Sequence, residues 1–436
     1  MSNITWKKCR VCANPNFKSI IDLGFQPLSG VFPNTSAPDP ILGRLHLVKC
    51  DTEKNPNACG LVQLEDSADI TSMYGATYGY YPSISPMMQS HLEKKTLGLK
   101  QLTQLQKGDW VLDIGCNDGT LLNAYQESSQ LRRVGIDPSS KKFHHNFQKD
   151  INAIFEIFSV DSVKKISKEE KFKIITSIAM FYDIDDPLTF MQGIASLLHN
   201  DGVWALELSY LPLLLEQLTY DQICHEHVTY YGLADLQKIM RKVGLKIIDI
   251  DFNDLNGGSI YVIAGLQNCS IAVQEEKIKT VLDKEKALEE FAPYERFYNR
   301  TVSHREDILE FLNILKLSNK KIYGYGASTK GNIVMNYCGL TSADIIAISD
   351  KNPEKYSLTT PGTRIQIIPH AKLREIKPEY VFVNIWHLRR EVLADEVELL
   401  ESGTKFVFPL PRIHIVDRNN YKRYMNRDFK DIAYTL

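Results

Sequence analysis

Two stretches of the chain pass from a short apolar run through a glycine-bearing turn into a helical pattern. They are "GDWVLDIGCNDGTLLNAY" (residues 108–125) and "KKIYGYGASTKGNIVMNYCG" (320–339). Each run reads as a strand buried on both faces, and a helix directly after it has to cross back over a sheet. Each stretch is thereby committed to an α/β unit with its ligand site at the strand's carboxyl end. At 436 residues the chain is too long for one hydrophobic core, so the two units are expected in separate domains.

Further strands follow each start. For the first unit they are "RRVGID", "FKIITSIAM" and "GVWALELS", and then "LKIIDIDFN" and "GSIYVIAGL" with no room for a helix between them. That last pair predicts an antiparallel hairpin closing one edge. For the second unit they are "DIIAISD", "YVFVNIW" and "TKFVFPL", after a charged helical bridge over residues 271–318.

The two turns differ in chemistry. In the first, Gly115 and Gly119 permit a sharp turn and close approach of a ligand. Asp113 and Asp118 flank it, repelling a pyrophosphate and suiting a cofactor that carries positive charge or hydroxyls. Asp137, ending the second strand, is placed to accept from both hydroxyls of a ribose. The second turn offers Ser328, Thr329 and Lys330 at a helix N-terminus, a set that attracts an anion such as phosphate. His387 and Arg389 lie just past a later strand end, where α/β ligands sit.

Four of the eight cysteines fall in the first 59 residues. Cys9 and Cys12 form a C-x2-C pair, and Cys50 and Cys59 complete four sulfur ligands suited to tetrahedral Zn²⁺. Such a site has no open position, so the metal is expected to hold structure. Residues 73–94 are rich in Tyr, Ser and Gly, and Tyr78, Tyr80 and Ser83 could donate hydrogen bonds to a polyhydroxylated or phosphorylated ligand. "DQICHEHVTYYG" (221–232) concentrates proton-transfer groups: His225, Glu226 and His227, then Tyr230 and Tyr231.

Composition excludes some partners. The net charge is −2 with both signs mixed along the chain, so no basic stripe invites nucleic acid. No apolar window approaches a membrane span, and the start has no apolar leader, so a cytoplasmic location is expected. The oligomeric state is open.

In order, "CRVC…C…C", "VLDIGCNDGTLL", "HEHVTYY" and "YGYGASTKG" resemble the sugar C-methyltransferases that act on nucleotide-linked deoxysugars. The resemblance covers almost the whole chain. It implies a zinc-binding head (1–70), a central class I S-adenosylmethionine domain with a Rossmann-like sheet (71–270, with 71–100 as a substrate-binding lead-in) and a C-terminal Rossmann-like domain that helps hold the sugar (271–436). It implies methyl transfer to a carbon beside a keto group, with Gly115, Asn117 and Gly119 against S-adenosylmethionine and Asp137 on its ribose. The base it implies is His227, with Glu226 and His225 beside it. Removing a proton next to a ketone also calls for a donor to the enolate oxygen, a role open to Tyr230 or Tyr231. Departures fall on the substrate side: Cys224 stands where the family often has Tyr, and "SIAMFYDIDDP" lacks a histidine common there. Transfer to oxygen or nitrogen, a nicotinamide-dependent sugar oxidoreductase or epimerase, and a zinc-headed RNA modifier are the competing readings.

Overall fold

The structure, a computed structural model, describes residues 4–68, 81–125 and 130–433. In the N-terminal lobe, β1 (Ile4–Thr5) pairs with β5 (Asp66–Ser67). Between them β2 (Phe17–Pro27), β3 (Leu42–Cys50) and β4 (Val62–Leu64) form an antiparallel meander. The helix Pro86–Thr103 then opens the central domain. Ser85 caps it by accepting from the Met88 N–H at 3.3 Å, and Pro86 sits in its first turn. Leu92, Thr96, Leu99 and Thr103 recur every three or four residues and form its buried face.

The central sheet comprises β6 (Trp110–Ile114), β7 (Arg132–Ile136), β8 (Ile151–Ile154), β9 (Phe172–Ile178) and β10 (Leu198–Ser209). A two-residue strand, β11 (Thr229–Tyr230), follows outside this sheet, and β12 (Leu245–Asn253) and β13 (Ser259–Leu266) return to it. The order is β12-β13-β10-β9-β6-β7-β8. β13 is antiparallel to both neighbours and is inserted between β10 and β12, which is how the predicted hairpin closes the edge. Val111, Leu112 and Ile114 are buried, as a strand covered on both faces requires. Truncating Leu112 to Ala at such a site costs about 2–5 kcal/mol.

β11 does not stand alone. It pairs antiparallel with β4, so the N-terminal meander is completed by a strand supplied some 165 residues later, in the order β11-β4-β3-β2. The C-terminal sheet contains β14 (Ile322–Tyr325), β15 (Ile348–Asp350), β16 (Ile367–Pro369), β17 (Tyr380–Val383), β18 (Lys405–Phe408) and β19 (His414–Val416). Its order is β16-β15-β14-β17-β18-β19, parallel except for the last strand. The helix Ala292–Leu317 buries a stripe from Tyr294 to Leu315. Ile20, Leu45, Leu47, Tyr220 and Ile223 share one hydrophobic core with that stripe and with the C-terminal sheet. The head is therefore held by packing as well as by its cysteines. Among the described residues, no helix is long and apolar enough to cross a membrane.

Candidate active site

The four head sulfurs lie within 4.8 Å of one another. Cys9 N–H donates to the Asn14 carbonyl (2.8 Å), and Ala13 N–H to the Cys9 carbonyl (2.9 Å), closing the tight turn that presents the C-x2-C pair. Ala13 takes the left-handed conformation there (φ 57°). Asn14 donates from its side chain to the Cys50 sulfur (3.4 Å). Hydrogen bonds from Cys59 and Cys9 hold the Cys50 thiol well below its ordinary pKa, while the same contact with Cys50 pushes Cys9 up to about 12. Cys50 thus ionises at the expense of Cys9, and a divalent cation removes that conflict. The donor set fits structural Zn²⁺. His46 is not a ligand: its ring is engaged by Glu65 (2.6 Å) and Ser19 (2.8 Å).

At the carboxyl end of β6, Gly115 adopts φ 77°, and a Cβ on it would come within 2.9 Å of Met180 Cγ. Only glycine fits both demands. Asp113 is buried and accepts from Thr176 Oγ1 at 2.6 Å. Burial pushes its carboxyl up to about 7, and the charges of Asp137 and Asp118 push the same way. A cation placed beside it relieves that burden, so the loop suits a sulfonium. Asp118 accepts from the Ser83 N–H (3.0 Å) and from both donors of Thr120 (3.1 and 2.6 Å), starting the next helix. Asp137 accepts from the Asn117 N–H (3.0 Å) and from the N–H and hydroxyl of Ser139 (both 2.6 Å). Its carboxylate thus braces the loop, and Asp113 and Gly115 are the members of the expected set that line the cleft.

That cleft has a volume of about 760 Å³ and is shared by the three lobes. Gly30 and Phe32 enter it from the head, Tyr182, Glu226 and His227 from the centre, and Ser328, Lys330 and His387 from the C-terminal domain. The His227 N–H donates to the Cys224 carbonyl (3.1 Å), making a turn that separates the two histidines. His225 faces the head, its ring bonded to the Gly43 carbonyl (3.2 Å) and near Ser29 Oγ (3.5 Å). It is not among the cleft-lining residues. Burial lowers its pKa to about 4. His227 opens to the cleft with its ring centre 4.0 Å from that of Tyr182. Burial, and then the positive charge of Lys330, lower its pKa to about 3, so it is neutral near pH 7. Burial raises the pKa of Glu226.

The tyrosines expected to reach the substrate are turned away from it. Tyr230 donates to the Gln222 carbonyl (3.2 Å), and Tyr231 stacks on Phe181 with 5.2 Å between ring centres. Phe181 in turn meets Trp204 edge-on at 5.5 Å, so this aromatic layer fixes β11 on the central sheet and sets Tyr182 beside His227. Arg389 is also excluded from the cleft. It is buried, donates to the Tyr424 (3.1 Å) and Arg427 carbonyls and stacks on Phe429 at 4.7 Å, anchoring the C-terminal segment. Ser328 caps the helix Thr329–Tyr337 by accepting from the Gly331 N–H (3.0 Å). Tyr78 and Tyr80 lie outside the described residues. Tyr182 and Glu207 were missed by sequence reasoning. Glu207 lines the cleft from β10 and accepts from His91 (2.9 Å) and Asn253 (2.9 Å). Its place at a central strand's carboxyl end was the available signal.

Three family models match along the chain in order. They are "Putative zinc binding domain" over residues 9–74, "Methyltransferase domain" over 88–250 and "C-methyltransferase C-terminal domain" over 254–411. With the acidic glycine turn, the four-sulfur head and the shared cleft, they define an S-adenosylmethionine-dependent methyltransferase that binds zinc. The chain is similar to C-methyltransferases over almost its whole length. It is 27% identical to the C-methyltransferase NovU of Streptomyces niveus over 413 residues, covering 94% of this chain and 96% of that one. It is also 30% identical to the tRNA U34 carboxymethyltransferase of Campylobacter lari over 136 residues, 29% of this chain and 45% of that one. An S-adenosylmethionine-dependent methyltransferase structure from Clostridium acetobutylicum aligns over 41% of this chain and 92% of its own, at 15% identity and a TM-score of 0.33.

Proposed function

We propose that the chain methylates a carbon adjacent to the keto group of a nucleotide-linked deoxysugar, with His227 removing the proton from that carbon. The observation that carries the reading is the single cleft in which His227 meets both the acidic cofactor turn and the Ser328–Lys330 loop. S-adenosylmethionine supplies a methyl group on a positively charged sulfur. This chain supplies Asp113 and Gly115 to receive that charge, and we assign Asn117, Gly119 and Asp137 to shaping the same turn.

His227 is held neutral, so its free nitrogen can take a proton without first losing one. A base of low pKa is a weak one. Negative charge developing on the substrate beside Lys330 offsets the part of that depression that the ammonium adds to burial, and so strengthens the base. Glu226 and His225 position this segment, Glu226 near Ser29 Oγ at 3.5 Å and His225 through the head backbone. Ser328, Lys330 and His387 form the sugar-nucleotide side of the cleft. We assign the cytoplasm as the compartment.

The test compares a nucleoside-diphosphate 4-keto-6-deoxyhexose with its 4-hydroxy counterpart as methyl acceptors. Transfer is expected with the ketone alone, and His227→Asn is expected to lower it at least about 10²-fold. Comparable transfer to the hydroxy sugar would contradict the carbanion route.

A further inference from the structure

We propose that Lys330, assisted by His387, is the electrophilic partner of His227, holding the keto oxygen as negative charge builds on it. This inference rests on the keto-sugar reading above. An enolate requires a donor at its oxygen, and the tyrosines of the HEH segment do not supply it: Tyr230 donates to the Gln222 carbonyl, and neither Tyr230 nor Tyr231 lines the cleft.

Lys330 lines the cleft from the first turn of the nine-residue helix Thr329–Tyr337. Its ammonium donates to the Asn256 carbonyl at 2.7 Å, which fixes its position and leaves two of three donors for a ligand. Its charge acts on His227 and on His387 alike, so the three groups form one cluster. His387 lines the same cleft, and its Nδ1 is buried with no hydrogen-bond partner among the described residues, an atom that a substrate hydroxyl would satisfy. The turn carrying it is pinned by Trp386, whose indole N–H donates to the Asp221 carboxylate at 2.7 Å. Asp221 belongs to the segment that carries His227, and its charge also acts on Lys330. One buried carboxylate therefore ties base and electrophile together across two domains. The anionic part of a nucleotide has other partners in the cleft, Lys142, Lys351 and Lys355.

In the step, the C–H bond beside the ketone breaks and its proton passes to His227. The electron pair forms a C=C bond while the carbonyl pair moves onto oxygen, against Lys330. The C=C pair then attacks the methyl carbon of S-adenosylmethionine, the C–S bond breaks to leave a neutral thioether, and the ketone re-forms. His227 returns its proton to solvent.

The experiment follows loss of the α-proton of a thymidine-diphosphate 4-keto-6-deoxyhexose in D2O, by proton NMR, with the full chain and S-adenosylhomocysteine. Lys330→Met is expected to slow exchange about 10²–10³-fold. The Kd for the sugar should change less than about threefold, and Lys330→Arg should recover part of the rate. His387→Gln should slow exchange about tenfold. The Kd for S-adenosylhomocysteine checks that each variant is folded. If Lys330→Met exchanges at the wild-type rate but binds the sugar weakly, Lys330 is a phosphate ligand and the inference falls. Loss of exchange in His227→Asn alone would also sink it while leaving the keto-sugar reading intact. A wild type that exchanges nothing would remove both.

Discussion

The turn closed by the His227 N–H on the Cys224 carbonyl sends His225 into the head and leaves His227 in the cleft. In an extended strand two residues apart share a side, and a single turn reverses that expectation. The two rings therefore have different consequences. His225 is buried and neutral in the folded chain, with a pKa lowered from 6.5 to about 4. Unfolding frees it to bind a proton between those values. The stability it permits is complete above about pH 6.5 and is lost as pH falls through about 4. The full span amounts to about 3 kcal/mol. Urea denaturation at pH 7 and pH 4 should show wild type losing that much more stability than His225→Gln. An equal acid sensitivity in the two proteins would show that His225 is not held neutral.

At the level of elements, the consequential pairing is β11 with β4, Thr229 opposite Gln63 and Tyr230 opposite Val62. It makes the end of the HEH segment part of the N-terminal lobe's sheet. At the far end of that segment, Glu285 accepts from the N–H groups of Leu233 and Ala234 (2.7 and 2.8 Å), capping the following helix. Cys50 ends β3, and β3 pairs with β4, so the metal site lies two strands from His227 without lining the cleft. Removing zinc with a chelator, or Cys50→Ser, should lower methyl transfer about tenfold or more and expose the Val228–Tyr231 amides to hydrogen exchange. A metal-free chain that keeps both its activity and its protection would uncouple the head from catalysis. None of this was legible in "HEHVTYY", because a two-residue strand paired across some 165 positions has neither length nor periodicity to announce it. The Cys9–Cys12 turn and the Gly115–Gly119 turn were legible, since each is built within a few residues and needs those residue types to form.

Across the whole molecule, the three lobes meet at one cleft, joined beside it by Ser29, whose carbonyl accepts from Asn332 at 2.7 Å, and by Gly30, which lines the cleft close against Glu226. The two strand–glycine–helix signatures announced the two mainly parallel sheets, since an apolar run followed by an immediate helix leaves little else to fold into. Which polar residues reach the cleft was harder to read. Arg389 has the sequence position of a ligand but is drawn into the Phe429 and Tyr424 packing, while Tyr182 and Glu207 arrive through tertiary contacts with no motif of their own. In the proposed reaction a base in this cleft makes a carbon nucleophile. Incubation with S-adenosylmethionine ¹³C-labelled in the methyl group and a nucleotide-linked 4-keto sugar, read by carbon NMR, tests that directly. The label should appear as a methyl bonded to carbon; a methoxy or N-methyl signal would contradict it.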